Sequence, residues 1–323
     1  MAAAAVVPAA LAGWLLWQAL GTGGDDGEDG RGAAAPAPRR PPPPPPGPAP
    51  GGAGGAAAPA VSAPASPSGE PSPEGEESPA EPSGKPSSGG ESSRKPASDP
   101  LAGKTVVVDP GHNPGNRNHT AEINRQVDVG THRKECDTTG TSTNDGYAEA
   151  EFTLDVAHRL RDLLEERGAT VKLTQDGDRP FGPCVDERAR IGNEAKADAV
   201  VSVHADGSTA AGHRGFHVIL PAAVHGGGAD TRPIVADSRR LGERIAGKLV
   251  QRTGSAPSNY IGGGTGLDVR DDLGGLNLST VPKVFVECGN MRDAQDAALL
   301  KDADWRQKAA LGMADGITLH LRG

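Results

Sequence analysis

From Leu101 to the end of the chain, segments with the hydrophobic pattern of a strand alternate with segments that have the pattern of an amphipathic helix. Short apolar runs rich in β-branched residues predict strands at 104–109, 169–174, 199–204, 215–220 and 283–288. Longer amphipathic stretches predict helices at 150–168, 184–197, 237–253 and 304–322. Because strands alternate with helices, the pattern predicts an α/β fold with a mostly parallel sheet flanked by helices.

The first hundred residues have a different character. Residues 2–20 are uncharged and mostly apolar, and as a helix they would be roughly 28 Å long, close to the thickness of a bilayer core. We predict that residues 1–20 are a membrane anchor or a signal segment, either retained or cleaved; a buried helix of a soluble domain is the alternative. Residues 21–100 are rich in Pro, Ala, Gly and Ser and have almost no branched aliphatic side chains, which predicts a disordered tether.

Charge argues against a nucleic-acid partner. The chain has a formal net charge of −9, and residues 1–100 contain 11 Asp and Glu against 6 Lys and Arg. About half of the negative charge therefore lies outside the domain predicted at 101–323, which is only mildly acidic. Nothing in this domain resembles the basic face that a nucleic-acid-binding protein needs.

The three cysteines are consistent with export. Cys136 lies in a polar loop, Cys184 begins a predicted helix, and Cys288 lies in an apolar strand, where we expect it to be buried and unpaired. We predict a disulfide between Cys136 and Cys184, which an oxidising compartment would preserve; two free surface thiols are the alternative.

Two segments are too long for ordinary connections between a strand and a helix. Residues 113–146 are rich in Thr, Asn and Gly, and residues 254–280 are rich in Gly, so we expect long, flexible loops that shape a substrate groove. Within the first segment, 126–130 and 131–136 could pair as a short hairpin held by the predicted disulfide.

Four side chains that can do chemistry stand at the end of a strand or the start of a helix: His112, Glu149, His204 and Glu287. In α/β sheets the carboxyl ends of the strands form the ligand-binding edge. Two imidazoles and one carboxylate at that edge are the ligand set of a hydrolytic zinc site. Structural roles, a strand cap for His204 and a helix start for Glu149, are the alternatives. Glu287 lies inside an apolar run, where a carboxylate is costly to bury unless it is paired or functional.

Several motifs together resemble one protein family. The stretches VVVDPGHNPG, EFTLDVAHRLRDLLEERG, DAVVSVHADG and GLNLSTVPKVFVECGN, in this order, are similar to the zinc-dependent N-acetylmuramoyl-L-alanine amidases of the type 3 family over nearly all of 101–323. The resemblance implies a single α/β domain with a twisted six-stranded sheet and one zinc ion per chain. It also implies hydrolysis of the amide bond between N-acetylmuramic acid and L-alanine in peptidoglycan.

The resemblance also assigns roles to the four side chains. His112 and His204 match the histidine ligands of zinc, and Glu287 matches the catalytic glutamate, which would act as general base and acid for a metal-bound water. Alignment of the following helix matches Glu149 to the glutamate ligand. Glu151 is the alternative, although it would lie about 200° further round the helix.

The sequence departs from the common family pattern in the long segment between His112 and Glu149, which resembles exported members that have a hairpin near the active site. No long helical insertion of the kind that plugs the zinc site is present, so we expect an accessible site. Arg270, Asn277 and Asn290 flank it and are predicted to bind substrate, with ordinary solvation of the loops as the alternative.

We therefore expect an exported, monomeric cell-wall hydrolase. Its partners would be peptidoglycan and, if residues 1–20 are retained, the membrane; it would lie outside the cytoplasm, in the cell wall or anchored to the membrane. The alternatives are another exported zinc hydrolase, such as a peptidase or a carbohydrate deacetylase, and a non-catalytic wall-binding module.

Overall fold

The computed structural model describes residues 99–323. The anchor or signal segment predicted at 1–20 and nearly all of the tether predicted at 21–100 lie outside these residues. Among the helices of residues 99–323, none combines the length and the hydrophobicity needed to cross a membrane.

The elements of the described region follow the predicted alternation. The strands are β1 (Thr105–Pro110), β2 (Gln126–Asp128), β3 (Arg133–Glu135), β4 (Thr170–Leu173), β5 (Ala199–Asp206), β6 (His217–Pro221), β7 (His225–Gly226), β8 (Ala229–Asp230), β9 (Leu267–Arg270) and β10 (Lys283–Asn290). The helices are α1 (Thr120–Ile123), α2 (Glu149–Glu165), α3 (Val185–Glu194), α4 (Val235–Thr253), α5 (Gly274–Asn277), α6 (Ala294–Lys301) and α7 (Ala303–Leu321). Each of the five strands and four helices expected from the sequence is present.

Six strands form the central sheet, in the order β4-β1-β5-β10-β6-β9. Strands β4, β1, β5 and β10 run parallel to one another, whereas β6 is antiparallel to β10 and parallel to β9. The predicted α/β domain with a mostly parallel six-stranded sheet is confirmed. At one edge of the sheet, the carboxyl ends of four strands therefore meet the start of β6.

The period of two along each strand separates the two faces of the sheet. Val106 and Val108 of β1 lie in the main core, which also contains the buried faces of α2, α4 and α7. Val107, between them, packs on the opposite face with Val200 and with Ile191 of α3. The sheet is thus covered on both sides, which explains why its strands are continuously apolar.

The face covered by α3 also carries the polar side chains. Asp109 shares this face with Val107, and Ser202 and His204 share it with Val200, because side chains at positions i and i+2 point the same way. The registers of β5 and β10 pair Phe285 with Ser202 and Glu287 with His204. A row of functional groups therefore lies on one face, near the carboxyl ends of the strands.

The insertion after β1 is tied to α3 by a disulfide. Strands β2 and β3 form the predicted antiparallel hairpin. Cys136 and Cys184 are joined by an S–S bond of 2.08 Å, and Cys288 is buried and unpaired. The predicted disulfide is confirmed, and it fixes the end of the hairpin to the residue that caps α3.

The segment 254–280 has more regular structure than its glycine content predicts. It contains β9, which pairs with β6 at the edge of the sheet, and the short helix α5. Strand β9 has only four residues and one neighbour, so its pattern of apolar positions is too short to distinguish it from a loop.

Candidate metal and catalytic site

His112 lies just beyond the carboxyl end of β1. Its φ of 61° is in the left-handed region, which residues other than glycine seldom adopt. Its Nδ1 is 3.1 Å from the carbonyl oxygen of Thr138. Because a carbonyl oxygen can only accept, this hydrogen bond places the proton on Nδ1 and leaves the lone pair of Nε2 available to a metal.

Glu149 is the first residue of α2 and is buried. Its Oε2 accepts a hydrogen bond from the backbone N–H of Thr141 (2.8 Å), and its Oε1 accepts one from that of Ala205 (3.2 Å). The same Oε1 lies 3.1 Å from Nε2 of His112 and 3.0 Å from Nδ1 of His204. Burial opposes ionisation, but His112 and the hydrogen bonds from both histidines outweigh it and hold the pKa of Glu149 well below its usual range.

Glu151, the alternative ligand, points elsewhere. Its side chain is exposed and lies 3.7 Å from the guanidinium of Arg117. The structure therefore brings Glu149, and not Glu151, to the two histidines, as the angle between them on a helix requires.

The ring of His204 has three close neighbours. It stacks on Phe285, with the ring centroids 5.1 Å apart, and meets the ring of His112 edge to face at 5.0 Å. Gly111 also lies against this ring, and a Cβ there would come within 2.3 Å of the imidazole. Gly140 leaves similar room for His112, since a Cβ there would lie 2.7 Å from that ring. Glycine at these two positions makes space for the histidines.

The donor set fits a zinc ion. The ligand atoms of His112, Glu149 and His204 all lie within 4.8 Å of one another. Ligands bound tetrahedrally at about 2.0–2.1 Å from zinc would be roughly 3.3 Å apart, close to the separations that Glu149 makes with both histidines. Three protein ligands leave a fourth position for water or substrate, which is typical of a catalytic zinc site.

Glu287 lies beside this cluster in β10. Its register partners are His204 in β5 and His217 in β6. Its Oε2 is buried and has no hydrogen-bond partner within residues 99–323. Burial, together with the charges of Asp206 and Glu149, raises the pKa of Glu287 well above its usual value. A carboxylate with a raised pKa and an unpaired oxygen is suited to proton transfer near neutral pH.

Sequence reasoning does not identify His217, which stands next to Glu287. It is 2% exposed, its Nδ1 makes no hydrogen bond in the described part of the chain, and burial lowers its pKa. Because β6 runs antiparallel to β10, the first residue of β6 reaches the edge where the other strands end. The usable signal was an imidazole directly before the apolar run of 218–220, the same kind of signal that identifies Glu287.

Tyr260, in the loop that precedes β9, contacts the end of β5 next to the site. The hydroxyl of Tyr260 donates to a carboxylate oxygen of Asp206, at the end of β5. The ring of Tyr260 stacks on His213 with the centroids 4.3 Å apart. Burial and the neighbouring Asp206 raise the pKa of Tyr260, so this side chain remains a hydrogen-bond donor at neutral pH.

The three residues predicted to bind substrate have different surroundings. Arg270 is held by two hydrogen bonds to Asp272, of 2.8 and 2.6 Å, and its charge acts on Glu287. The buried amide of Asn277 donates to the carbonyl oxygen of residue 271, and that of Asn290 donates to those of residues 208 and 213. The charge of Arg270 acts on Glu287, whereas the two asparagines brace neighbouring loops.

Comparisons with known proteins agree with this geometry. The family described as N-acetylmuramoyl-L-alanine amidase matches residues 106–319. The chain is 42% identical over 231 residues to the N-acetylmuramoyl-L-alanine amidase Rv3717 of Mycobacterium tuberculosis, covering 70% of this chain and 89% of that one. Its structure is similar to the amidase Ami1 of Mycobacterium smegmatis, with a TM-score of 0.62, 39% identity, and coverage of 68% and 98%. Ami1 of Mycobacterium abscessus gives a TM-score of 0.61 and 41% identity over 68% of this chain and all of that one.

Proposed function

The chain belongs to the N-acetylmuramoyl-L-alanine amidase family, and from this membership we propose that it is a zinc-dependent hydrolase of peptidoglycan. It cleaves the amide bond between N-acetylmuramic acid and L-alanine. The observation that carries the proposal is the close grouping of His112, Glu149 and His204, with Glu287 next to them in the neighbouring strand.

His112, Glu149 and His204 are the residues that would hold the zinc ion. A zinc ion bound there supplies a Lewis acid, which polarises the carbonyl group of the amide and acidifies water. Glu287 accepts the proton that the attacking water loses and returns it to the nitrogen of the departing L-alanine, so the products are a free carboxylate on the lactyl group and a free amine. General catalysis of this kind contributes on the order of 10²- to 10⁴-fold in rate.

The chain holds its donor atoms in place before the substrate arrives. The carbonyl oxygen of Thr138 orients the imidazole of His112, and two backbone N–H groups orient Glu149. The stacking of His204 on Phe285 limits rotation of the second imidazole. Little reorganisation is then needed during the reaction, which is how a preorganised site lowers a barrier.

Arg270 is the proposed contact for a carboxylate of the peptide stem. It stands at the end of β9, and its charge acts on Glu287. A guanidinium can hold a carboxylate through two parallel hydrogen bonds, as this one now holds Asp272. Exchange of that partner for substrate would place the peptide on the β6 and β9 side of the site.

We propose that the enzyme is exported and acts in the cell wall as a monomer. The disulfide between Cys136 and Cys184 supports an oxidising compartment. In this proposal residues 1–20 export or anchor the protein and residues 21–100 form the tether; all of the first segment and nearly all of the second lie outside the described part of the chain. Light scattering of the purified protein tests the monomeric state.

Mass spectrometry of digested peptidoglycan tests the activity. Purified full-length protein is expected to release stem peptides with a free L-alanine amino terminus and to leave intact glycan strands. A chelator should abolish the reaction, and added Zn²⁺ should restore it. New peptide ends within the stem would indicate a peptidase, and loss of acetyl groups a deacetylase; either result without free L-alanine ends would contradict the proposal.

Glu287→Gln tests the role of the base. This variant keeps the size of the side chain but cannot accept the proton, so we expect it to bind zinc and to lose about 10²- to 10⁴-fold in kcat. Zinc content and the unfolding curve, measured on the same sample, are the controls. Turnover near that of the unaltered protein would rule out this role for Glu287.

A further inference from the structure

A buried cluster of charged side chains contacts His112 of the proposed metal site. It consists of Asp109, Asp137, Arg188 and Lys283, all nearly inaccessible to solvent. Lys283 and Arg188 contact the two oxygens of Asp109 at 3.3 and 2.8 Å. None of these residues takes part in the chemistry described above, and buried ions are costly unless they are paired.

Arg188 is the centre of this cluster. It lies in the first turn of α3, and all five of its guanidinium hydrogens are used, which is the full donor capacity of an arginine. The acceptors are the carbonyl oxygens of Pro183 (2.9 Å), Pro110 (2.6 Å) and His112 (2.8 Å) and the carboxylates of Asp109 (2.8 Å) and Asp137 (2.9 Å).

One of these bonds reaches the metal-ligating residue His112, and a second reaches the carboxylate beside its ring. Nη2 of Arg188 donates to the carbonyl oxygen of His112, whose backbone is in the left-handed region. It also donates to Oδ2 of Asp137, whose other oxygen lies 3.6 Å from Nδ1 of His112. One nitrogen therefore holds both the backbone of His112 and the carboxylate beside its ring.

The disulfide joins the two ends of this arrangement. Cys136 immediately precedes Asp137, and Cys184 caps the helix that carries Arg188. The backbone N–H of Val185 also donates to the carbonyl oxygen of Cys136 (2.7 Å). The segment that bears Asp137 and the helix that bears Arg188 are thus held in register.

From these contacts we propose that Arg188 is a positioning residue for the metal site, holding His112 and Asp137 so that Nε2 of His112 faces the metal. The inference rests on the zinc site proposed above. Residues around a metal ligand that fix its orientation commonly change metal affinity by about 10- to 100-fold when they are replaced.

The competing explanation is that Arg188 only balances the charges of the cluster. The two explanations predict different results when lysine replaces Arg188. The cluster contains two carboxylates and two cations, so any cation at position 188 preserves neutrality. An ammonium group has three donors at one point, whereas the guanidinium is a planar fork with five. Lysine can neutralise Asp137 but cannot also hold the backbone of His112 and the carboxylate of Asp109.

The test compares Arg188→Lys with the unaltered full-length protein. Zinc affinity is measured by competition with a chelator, and the coordination geometry by the visible spectrum of the Co²⁺-substituted protein. We expect about 10- to 100-fold weaker zinc binding and an altered Co²⁺ spectrum. Unfolding of the metal-free protein in urea shows how far stability alone has changed.

Arg167→Lys is the matched control. Arg167 bonds to Asp315 and Thr318, each at 2.8 Å. It lies beyond the far end of α2 from Glu149, about 27 Å along the helix axis at about 1.5 Å per residue. We expect this control to lose stability and to keep its zinc affinity and Co²⁺ spectrum.

Unchanged zinc affinity and an unchanged spectrum in Arg188→Lys would overturn the inference and leave Arg188 a structural residue. If that variant does not fold, Asp137→Asn decides: weaker zinc binding supports the positioning role, and unchanged binding refutes it. Failure of the unaltered protein to bind zinc would instead overturn the proposed function, and this inference with it.

Discussion

Replacing Gly111 by alanine tests the packing of the proposed metal site. Gly111 follows β1 and contacts the ring of His204, and its φ is outside the left-handed region, so alanine fits its backbone without strain. The added Cβ would lie 2.3 Å from Cε1, 2.5 Å from Nδ1 and 2.7 Å from Nε2 of His204. The substitution therefore acts on the ring, not on the backbone.

The required displacement follows from these distances. Ordinary van der Waals contact begins at 3.4 Å, so the ring of His204 must move by about 1.1 Å. Phe285 stacks on that ring and limits its escape. A misplacement of about 1 Å can cost on the order of 10²-fold in rate, and we expect that loss in kcat/KM together with at least about tenfold weaker zinc binding.

Chelator competition and muropeptide release by the same preparation measure the two effects. Gly247→Ala is the control, because a Cβ at that position in α4 meets no atom within 4 Å. It should keep full zinc affinity and gain up to about 1 kcal/mol in unfolding free energy from helix propensity. Full zinc affinity and activity in Gly111→Ala would refute the placement of His204 against this glycine.

Three further predictions concern stability and are measured by urea unfolding of the metal-free protein. Phe152→Ala, in the buried face of α2, should lower the free energy of unfolding by about 3–5 kcal/mol through loss of apolar contacts and a cavity. Replacing Cys136 and Cys184 by serine should cost up to about 4 kcal/mol, because the disulfide closes a long loop with a sequence separation of 48. Burial opposes ionisation of Asp137, but Arg188, together with His112 and hydrogen bonds, lowers its pKa from 3.8 to about 2. The resulting stabilisation, about 2 kcal/mol, is present above about pH 4 and should disappear as the pH falls towards 2.

Each of these predictions has its own contradicting result. A loss below about 1 kcal/mol for Phe152→Ala, which is about the cost of removing one methylene group, would mean that the core around α2 is loosely packed. We expect the double serine variant to be as stable as the unaltered protein with its disulfide reduced. A difference between the two would show an effect other than loss of the cross-link. For Asp137, the stability difference from Asp137→Asn should shrink in acid; a constant difference would rule out the linkage.

Local pattern was sufficient to predict the main elements and to select His112, His204 and Glu287 as candidate site residues. Short, continuously apolar runs locate the strands, and His204 and Glu287 are recognisable because a polar group at the end of or inside such a run is costly to bury without a role. His112 follows the same logic at the end of β1. The predicted fold and the predicted disulfide are both confirmed.

The direction of a strand within a sheet cannot be predicted from its local pattern of apolar residues. Parallel and antiparallel strands have similar apolar runs, so nothing in residues 215–220 shows that β6 runs against β10. That reversal brings His217 beside Glu287, and it is why a search of strand ends misses this histidine. The four-residue strand β9 was likewise invisible, since its stability depends on pairing with β6.

The role proposed for Arg188 also could not be predicted from the local sequence. In the sequence it belongs to a charged, amphipathic helix, where an arginine usually faces solvent. Its five hydrogen bonds reach residues from the end of β1, the loop after β3 and the turn before α3, segments that are far apart along the chain. The sequence shows which polar side chains would be costly to bury. The partners that compensate this cost are distant along the chain and are brought together only by folding.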